Sequence, residues 1–199
     1  MQVLERSKRE VEAKANTMSD FLRMEYLELV LRKNLDPEVL RYCYQELSKL
    51  YELRSMYPEA LKYLAKQKEI CILQREKIDC VNKEIELSIK SGNFDRAEII
   101  LKDGIKDLSE KDKFEIRRKM IEAYKQEASK LESSGRNTGA LKIYEKLVAH
   151  VVDNERTDVK KKMLVAYKKL GRVKESIEIE RQLMREVPGF RGELVEREI

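Results

Sequence analysis

Ser91-Gly92-Asn93-Phe94-Asp95-Arg96-Ala97-Glu98-Ile99-Ile100-Leu101-Lys102-Asp103-Gly104-Ile105-Lys106 decides how this chain folds. Gly92 can leave a preceding helix through a left-handed turn at no steric cost. Two residues on, Phe94 opens the next helix and anchors it on the one just left. Ala97, three residues later, is small enough to let the two helix axes come close, and Leu101 continues the apolar stripe. The segment reads as the elbow and second helix of a helical hairpin.

The rest of the chain suits helices. It has 199 residues, of which 42% are apolar and 40% charged, with seven Gly and three Pro. Breakers this scarce beside abundant Glu, Lys, Leu and Ile predict an all-α protein. Residues 2–33 contain neither Gly nor Pro, and Leu4, Val11, Ala15, Met18, Leu22, Leu29 and Val30 fall near one helical stripe. A break near Asn16-Thr17 or Ser19-Asp20 makes two helices of it, one continuous helix being the alternative. Asp36-Pro37-Glu38 starts a helix to about Arg54, which buries Leu40, Tyr44, Leu47 and Tyr51. Another follows from Pro58 with Ala60, Leu61 and Leu64. A turn is expected near Gln74–Lys77, then a helix with Ile78, Val81, Ile85 and Ile89 up to the Gly92 elbow. Ser109 caps a long helix to about Ser133 with Phe114, Ile121, Tyr124, Ala128 and Leu131 inward. Beyond the loop at Gly135, one helix carries Ala140 and Tyr144. Thr157 caps another that stops at Gly171, and the last sizeable helix runs Val173–Val187. Residues 189–199 read as a tail with a final turn or two of helix.

The small residues after successive elbows, Ala60, Ala97, Ala140 and Ser176, are 37, 43 and 36 residues apart. Helix pairs recurring at that period predict stacked hairpins, because one amphipathic hairpin cannot bury both its stripes alone. Tyr44, Leu47-Ser48, Tyr51, Tyr57 and Ala60 form the first set, and Gly92, Phe94, Ala97 and Leu101 the second. Tyr124, Gly135, Ala140 and Tyr144 form the third, and Tyr167, Gly171, Ser176 and Pro188 the fourth. Over Leu40 to Pro188 the pattern resembles the tetratricopeptide repeat (TPR) family, although the spacing exceeds that family's 34 residues and Glu84 stands at an apolar position. The resemblance implies an antiparallel helix-hairpin solenoid of about four repeats in residues 37–188. Residues 1–36 would precede it as a cap or dimerisation segment.

In that family ligands lie in the groove lined by the first helix of each hairpin. By alignment, the resemblance places Tyr42, Gln45, Lys49, Asn82, Glu86, Lys125, Ser129, Lys161, Val165 and Lys168 on the groove. It implies a scaffold that binds a protein or peptide. A subgroup of the family grips a peptide carboxylate with Lys, Asn and Arg. Gln45 and Lys49 stand where that clamp wants Lys and Asn, and Glu122 where it wants Lys, which argues against this mode.

Catalytic signatures are absent from the sequence: no Gly-rich phosphate loop, no Gly-x-Ser-x-Gly and no His-Glu-x-x-His. His150, with Asp153 nearby, reads as an ordinary half-packed histidine rather than a catalytic one. Cys43, Cys71 and Cys80 form no Cys-x-x-Cys pair, and a lone histidine cannot complete a zinc site, so neither metal nor cofactor is expected. Free thiols, a charged first twenty residues and no long apolar run predict a cytoplasmic protein without a membrane span.

The net charge of +5 is unevenly spread. Thr157–Glu175 holds Lys160, Lys161, Lys162, Lys168, Lys169, Arg172 and Lys174 against two acids, and Arg117-Arg118-Lys119 lies one hairpin earlier. A solvated face is the first reading, an attraction for an acidic peptide the second, and nucleic acid the third. Residues 1–33 offer a surface for a homo-oligomer.

Overall fold

A computed structural model describes residues 3–33 and 35–190. Among these, all regular structure is helical: α1 (Lys8–Ala15), α2 (Asp20–Leu31), α3 (Pro37–Leu53), α4 (Tyr57–Glu69), α5 (Gln74–Lys90), α6 (Phe94–Gly104), α7 (Glu110–Ser133), α8 (Asn137–Leu147), α9 (Asp153–Lys169) and α10 (Val173–Glu186). Expectations for residues 191–199 lie outside the described residues.

The elbows carry the architecture. Ser55, Gly92, Gly135 and Gly171 all take left-handed backbone angles, with φ of 59°, 74°, 73° and 68°. Each elbow makes the same two backbone bonds. At the second, the Asn93 N–H donates to Ser88 O (2.9 Å) and the Gly92 N–H to Ile89 O (2.9 Å). At the first, Met56 donates to Tyr51 O (2.9 Å) and Ser55 to Glu52 O (2.8 Å), and Arg136/Gly135 and Arg172/Gly171 repeat the pattern. These are Schellman motifs, which satisfy the last carbonyls of one helix while reversing the chain. The small residues beyond them, Ala60, Ala97, Ala140 and Ser176, are buried as expected. At the first hairpin the Ser48 hydroxyl donates to Ala60 O (3.1 Å), pinning α3 to α4.

The chain divides into two compact units, Met1–Ile116 and Arg117–Ile199. In the first, α2 packs on α3, α3 on α4, α4 on α5 and α5 on α6, so each helix rests on its neighbours in sequence. That is a solenoid of hairpins. The N-terminal stripe breaks at Asn16–Ser19 into two helices, and α1 and α2 both pack on α3. Val11, Ala15 and Val30 are buried there with Met24, Tyr26 and Leu27, whereas Leu4 and Leu22 are exposed. The stripe thus covers its own first hairpin. Glu28 on α2 accepts hydroxyl bonds from both Tyr51 and Tyr63 (2.8 Å each), fastening α2 to α3 and α4. In the second unit α9 packs on α8 and on α10.

Other boundaries and faces also differ from the sequence reading: on α3, Val39, Tyr42 and Cys43 join Leu47 in the core, while Leu40, Tyr44 and Tyr51 are half-buried. The turn expected at Gln74–Lys77 lies earlier, because α4 ends at Glu69 and α5 already starts at Gln74. The connection Ile70–Leu73 buries Cys71 and leaves Ile72 and Leu73 exposed. Helix α9 begins at Asp153 rather than after Thr157, with Val152 extended before it. On α7 the inward stripe includes Ile116 and Met120, while Phe114 faces water.

Glu84 keeps its unusual place. It is buried on α5, and the Lys68 ammonium on α4 donates to its carboxylate at 2.8 Å. A paired charge replaces the leucine that the repeat pattern wants.

Candidate functional site

In the first unit, the faces of α3 and α5 border a cleft floored by α4. Its larger hollow, about 410 Å³, has Arg41, Tyr42, Gln67, Cys71 and Glu76 on its walls. A smaller one of about 160 Å³ lies against Ser48, Lys49, Leu64, Cys80 and Lys83. Gln45, Gln67 and Asp79 line both hollows, so they form one continuous cleft.

Most charges around the cleft are satisfied within the protein. The Arg41 guanidinium donates to both oxygens of Glu76 (2.6 and 2.8 Å), tying α3 to α5 at one end. Farther along, Lys83 and Lys90 of α5 meet Glu52 of α3 at 2.8 and 2.7 Å, and both also bond Glu86. Burial works against the charged form of Lys90, but Glu52 and Glu86 outweigh it and raise its pKa above the ordinary lysine value. Burial likewise opposes charge on Glu52, yet the two ammonium groups prevail and hold it below the usual carboxylate range. Lys49 is engaged by Glu46 (2.7 Å), which also receives a bond from Arg23 (2.7 Å).

Against this background three side chains stand apart. Gln45, Gln67 and Asp79 make neither a hydrogen bond nor an ion pair with any other described side chain, and they converge where the hollows join. They present amide donors, amide acceptors and one carboxylate to whatever enters. Tyr42 supplies a buried aromatic wall.

The groove residues expected from the alignment separate into groups. Tyr42, Gln45 and Lys49 line the cleft. Asn82 and Glu86 share a face of α5 with Asp79, being three and seven residues on. The Asn82 amide atoms are shut away from solvent with no bonding partner, and Glu86 is held by the lysine network. In the second unit Lys125 and Ser129 border an open hollow of about 540 Å³ along α7, and Lys125 also reaches Glu155 at 3.1 Å. Lys161, Val165 and Lys168 fall on one face of α9. Lys161 pairs with Asp158 (3.5 Å), Val165 is exposed, and Lys168 lies 3.7 Å from the buried Glu180 of α10. Sequence reasoning missed Asp79, Gln67 and Arg41. Asp79 was within reach by the three-residue rule from Asn82, whereas Gln67 comes from the second helix of its hairpin.

The basic segment is less available than its composition implies. Lys160 is buried and meets both oxygens of Glu186 (2.6 and 2.7 Å), and Arg172 is paired with Glu175 at 2.6 Å. Arg118 reaches Glu122 at 3.2 Å. The His150 ring stacks on Tyr124 with centroids 6.1 Å apart, a packing role. Among the described residues no group of three or more His, Cys, Asp or Glu could hold a metal ion, and no helix is long and apolar enough to cross a membrane.

Four Schellman elbows, each followed by a buried small residue, recur as in tetratricopeptide hairpins, with a longer spacing, Ser55 at the first elbow and Glu84 at an apolar position. The hairpins are TPR-like. No protein-family model matches the chain, and no curated protein does either. Solved structures similar to it include the C-terminal part of a TPR repeat-containing protein from Cytophaga hutchinsonii, at 15% identity and TM-score 0.43, covering 92% of this chain and 65% of that one. MamA of AMB-1 has 14% identity and TM-score 0.40 over 96% and 94% of the two chains. BtubC (BKLC) from P. vanneervenii has 15% identity and TM-score 0.39 over 93% and 76%.

Proposed function

We propose that the chain is a non-catalytic scaffold or adaptor that holds a protein or peptide partner in the cleft beside α3 and α5. The observation that carries this reading is the convergence of Gln45, Gln67 and Asp79, three polar side chains without partners in a cleft whose other charges are already satisfied. Amides and a carboxylate that face water from a helical frame suit an extended backbone, which brings N–H and C=O groups of its own. Asp79 favours a segment that delivers donors or positive charge there, in place of the acidic peptide suggested by the basic run. The nucleic-acid reading loses support because Lys160, Lys161, Lys168 and Arg172 are paired within the chain.

The test is capture by the full-length chain and by a Gln45→Arg/Asp79→Arg variant, with circular dichroism verifying that both are folded. A protein retained by the first and released by the second, at constant salt, supports the reading. If every captured protein binds both forms equally, the cleft is not the binding surface.

A further inference from the structure

The floor of the cleft holds a chemical feature that the scaffold reading does not use. Cys71 and Cys80 place their sulfur atoms 4.0 Å apart. Cys71 sits in the connection after α4, and Cys80 lies on α5, within its first two turns. Both are nearly buried, at 5% and 3% exposure, yet each borders a hollow: Cys71 the larger, Cys80 the smaller. A small molecule entering the cleft therefore meets two thiols that already touch. Cys43 differs. It is fully buried on α3 in a separate apolar cluster and lines neither hollow.

We propose that Cys71 and Cys80 are an oxidation site, closing to an intramolecular disulfide when a low-molecular-weight disulfide such as oxidised glutathione enters the cleft. The reaction is thiol–disulfide exchange in two steps. The thiolate of Cys71 attacks one sulfur of the small disulfide, forming a mixed disulfide and expelling one small thiolate, which takes up a proton. The thiolate of Cys80 then attacks the Cys71 sulfur, forming the protein disulfide and expelling the second small thiol. The protein loses two electrons and two protons, and the small disulfide gains them. Closing to a bond of about 2.05 Å needs the sulfurs to approach by about 2 Å. Cys71 makes that movement, because it belongs to the non-helical connection whereas Cys80 is fixed in a helix. Burial, with Cys71 beside it, pushes the Cys80 thiol up to about 12, so the exchange is slow at neutral pH and quickens as pH rises. The reaction needs an open cleft and does not require that the cleft bind a protein partner.

The experiment treats the folded, full-length chain with oxidised glutathione, quenches with acid, unfolds it and alkylates the remaining thiols for mass spectrometry. The expected result is one alkyl group per chain, on Cys43, and a peptide linking Cys71 to Cys80, with the mass lower by two hydrogen atoms before alkylation. Dithiothreitol restores all three labels. Cys43→Ala retains the linked peptide, and Cys71→Ser yields no intramolecular link. Three alkyl groups on the folded chain, under treatment that oxidises the unfolded chain, would overturn the proposal. So would a disulfide that joins Cys43 to either of the others.

Discussion

Replacing Gly92, Gly135 or Gly171 by alanine isolates the cost of a left-handed elbow. Beyond the glycine and its two chain neighbours, no atom of the described residues lies within 4 Å of the position a Cβ would take at any of the three, so there is no clash to confuse the measurement. The penalty is conformational, about 1–2 kcal/mol for an L residue held at positive φ. Restricting the unfolded chain returns about 0.4–1 kcal/mol. Each substitution should therefore destabilise its unit by about 0.5–1 kcal/mol, lowering the urea midpoint by a few tenths molar, roughly. Ser55 provides the reverse experiment. It already pays that penalty at φ 59°, is exposed, and makes no side-chain hydrogen bond, so Ser55→Gly should raise the midpoint by a similar amount. Gly104→Ala separates a third effect. Its new Cβ would stand 2.8 Å from Val81 Cγ1, and overpacking of that kind costs about 1–3 kcal/mol, partly recovered by adding Val81→Ala. The assay is urea unfolding followed by far-ultraviolet circular dichroism. Helix propensity alone favours alanine over glycine by about 1 kcal/mol. A raised midpoint for Gly92→Ala would refute the elbow argument.

Three further outcomes follow from other parts of the molecule. Lys68→Met leaves the Glu84 carboxylate buried without its ion pair and should cost about 1–3 kcal/mol, while Lys68→Met/Glu84→Leu should recover most of it in the same unfolding assay. Burial opposes charge on Glu5, but bonds from Lys14, from backbone N–H groups and from Tyr26 hold its folded-state pKa at about 2, against 4.5 unperturbed. Its contribution is thus complete above pH ~4.5 and lost as pH falls through about 2. Glu5→Gln should flatten the acid limb of stability in that window, read by thermal melts across pH. Asp79→Ala and Gln45→Ala should change stability by less than about 0.5 kcal/mol, because both side chains are exposed and neither bonds to another described side chain. Each should weaken the captured partner by about 1 kcal/mol, roughly fivefold in Kd by titration calorimetry.

The elbows were legible because glycine is the residue that turns left without strain, and Gly92, Gly135 and Gly171 stand where the helices end. Ser55 carries the same turn with no such mark. Its elbow could be placed from Pro58 and the tyrosines, but not its backbone angle. The α4–α5 connection was misplaced because Cys71-Ile72-Leu73 contains no breaker. What stops the helix is the fold around Cys71, which packs into the core with Ala60, Leu64 and Cys80. Phe114 falls seven residues before Ile121 on the expected stripe, but the buried face runs through Ile116, Met120 and Tyr124 and leaves it outside. At the cleft, Tyr42, Gln45 and Lys49 were legible only through alignment with the repeat pattern that the chain resembles. The pairing of Glu86, Lys161 and Lys168 was not, since a side chain's partner depends on rotamers and on neighbouring helices. Gln67, on the second helix of its hairpin, stands out only once both hollows are seen to share it.

Because each helix of the first unit leans on those adjacent to it in sequence, its assembly needs few contacts between distant parts of the chain. Low contact order makes for rapid folding, with hairpins nucleating independently and growing by zippering onto one another. The same locality limits cooperativity. Hydrogen exchange should reveal hairpins opening one at a time, and α6 should exchange faster than the interior pair α3 and α4 long before the whole unit melts.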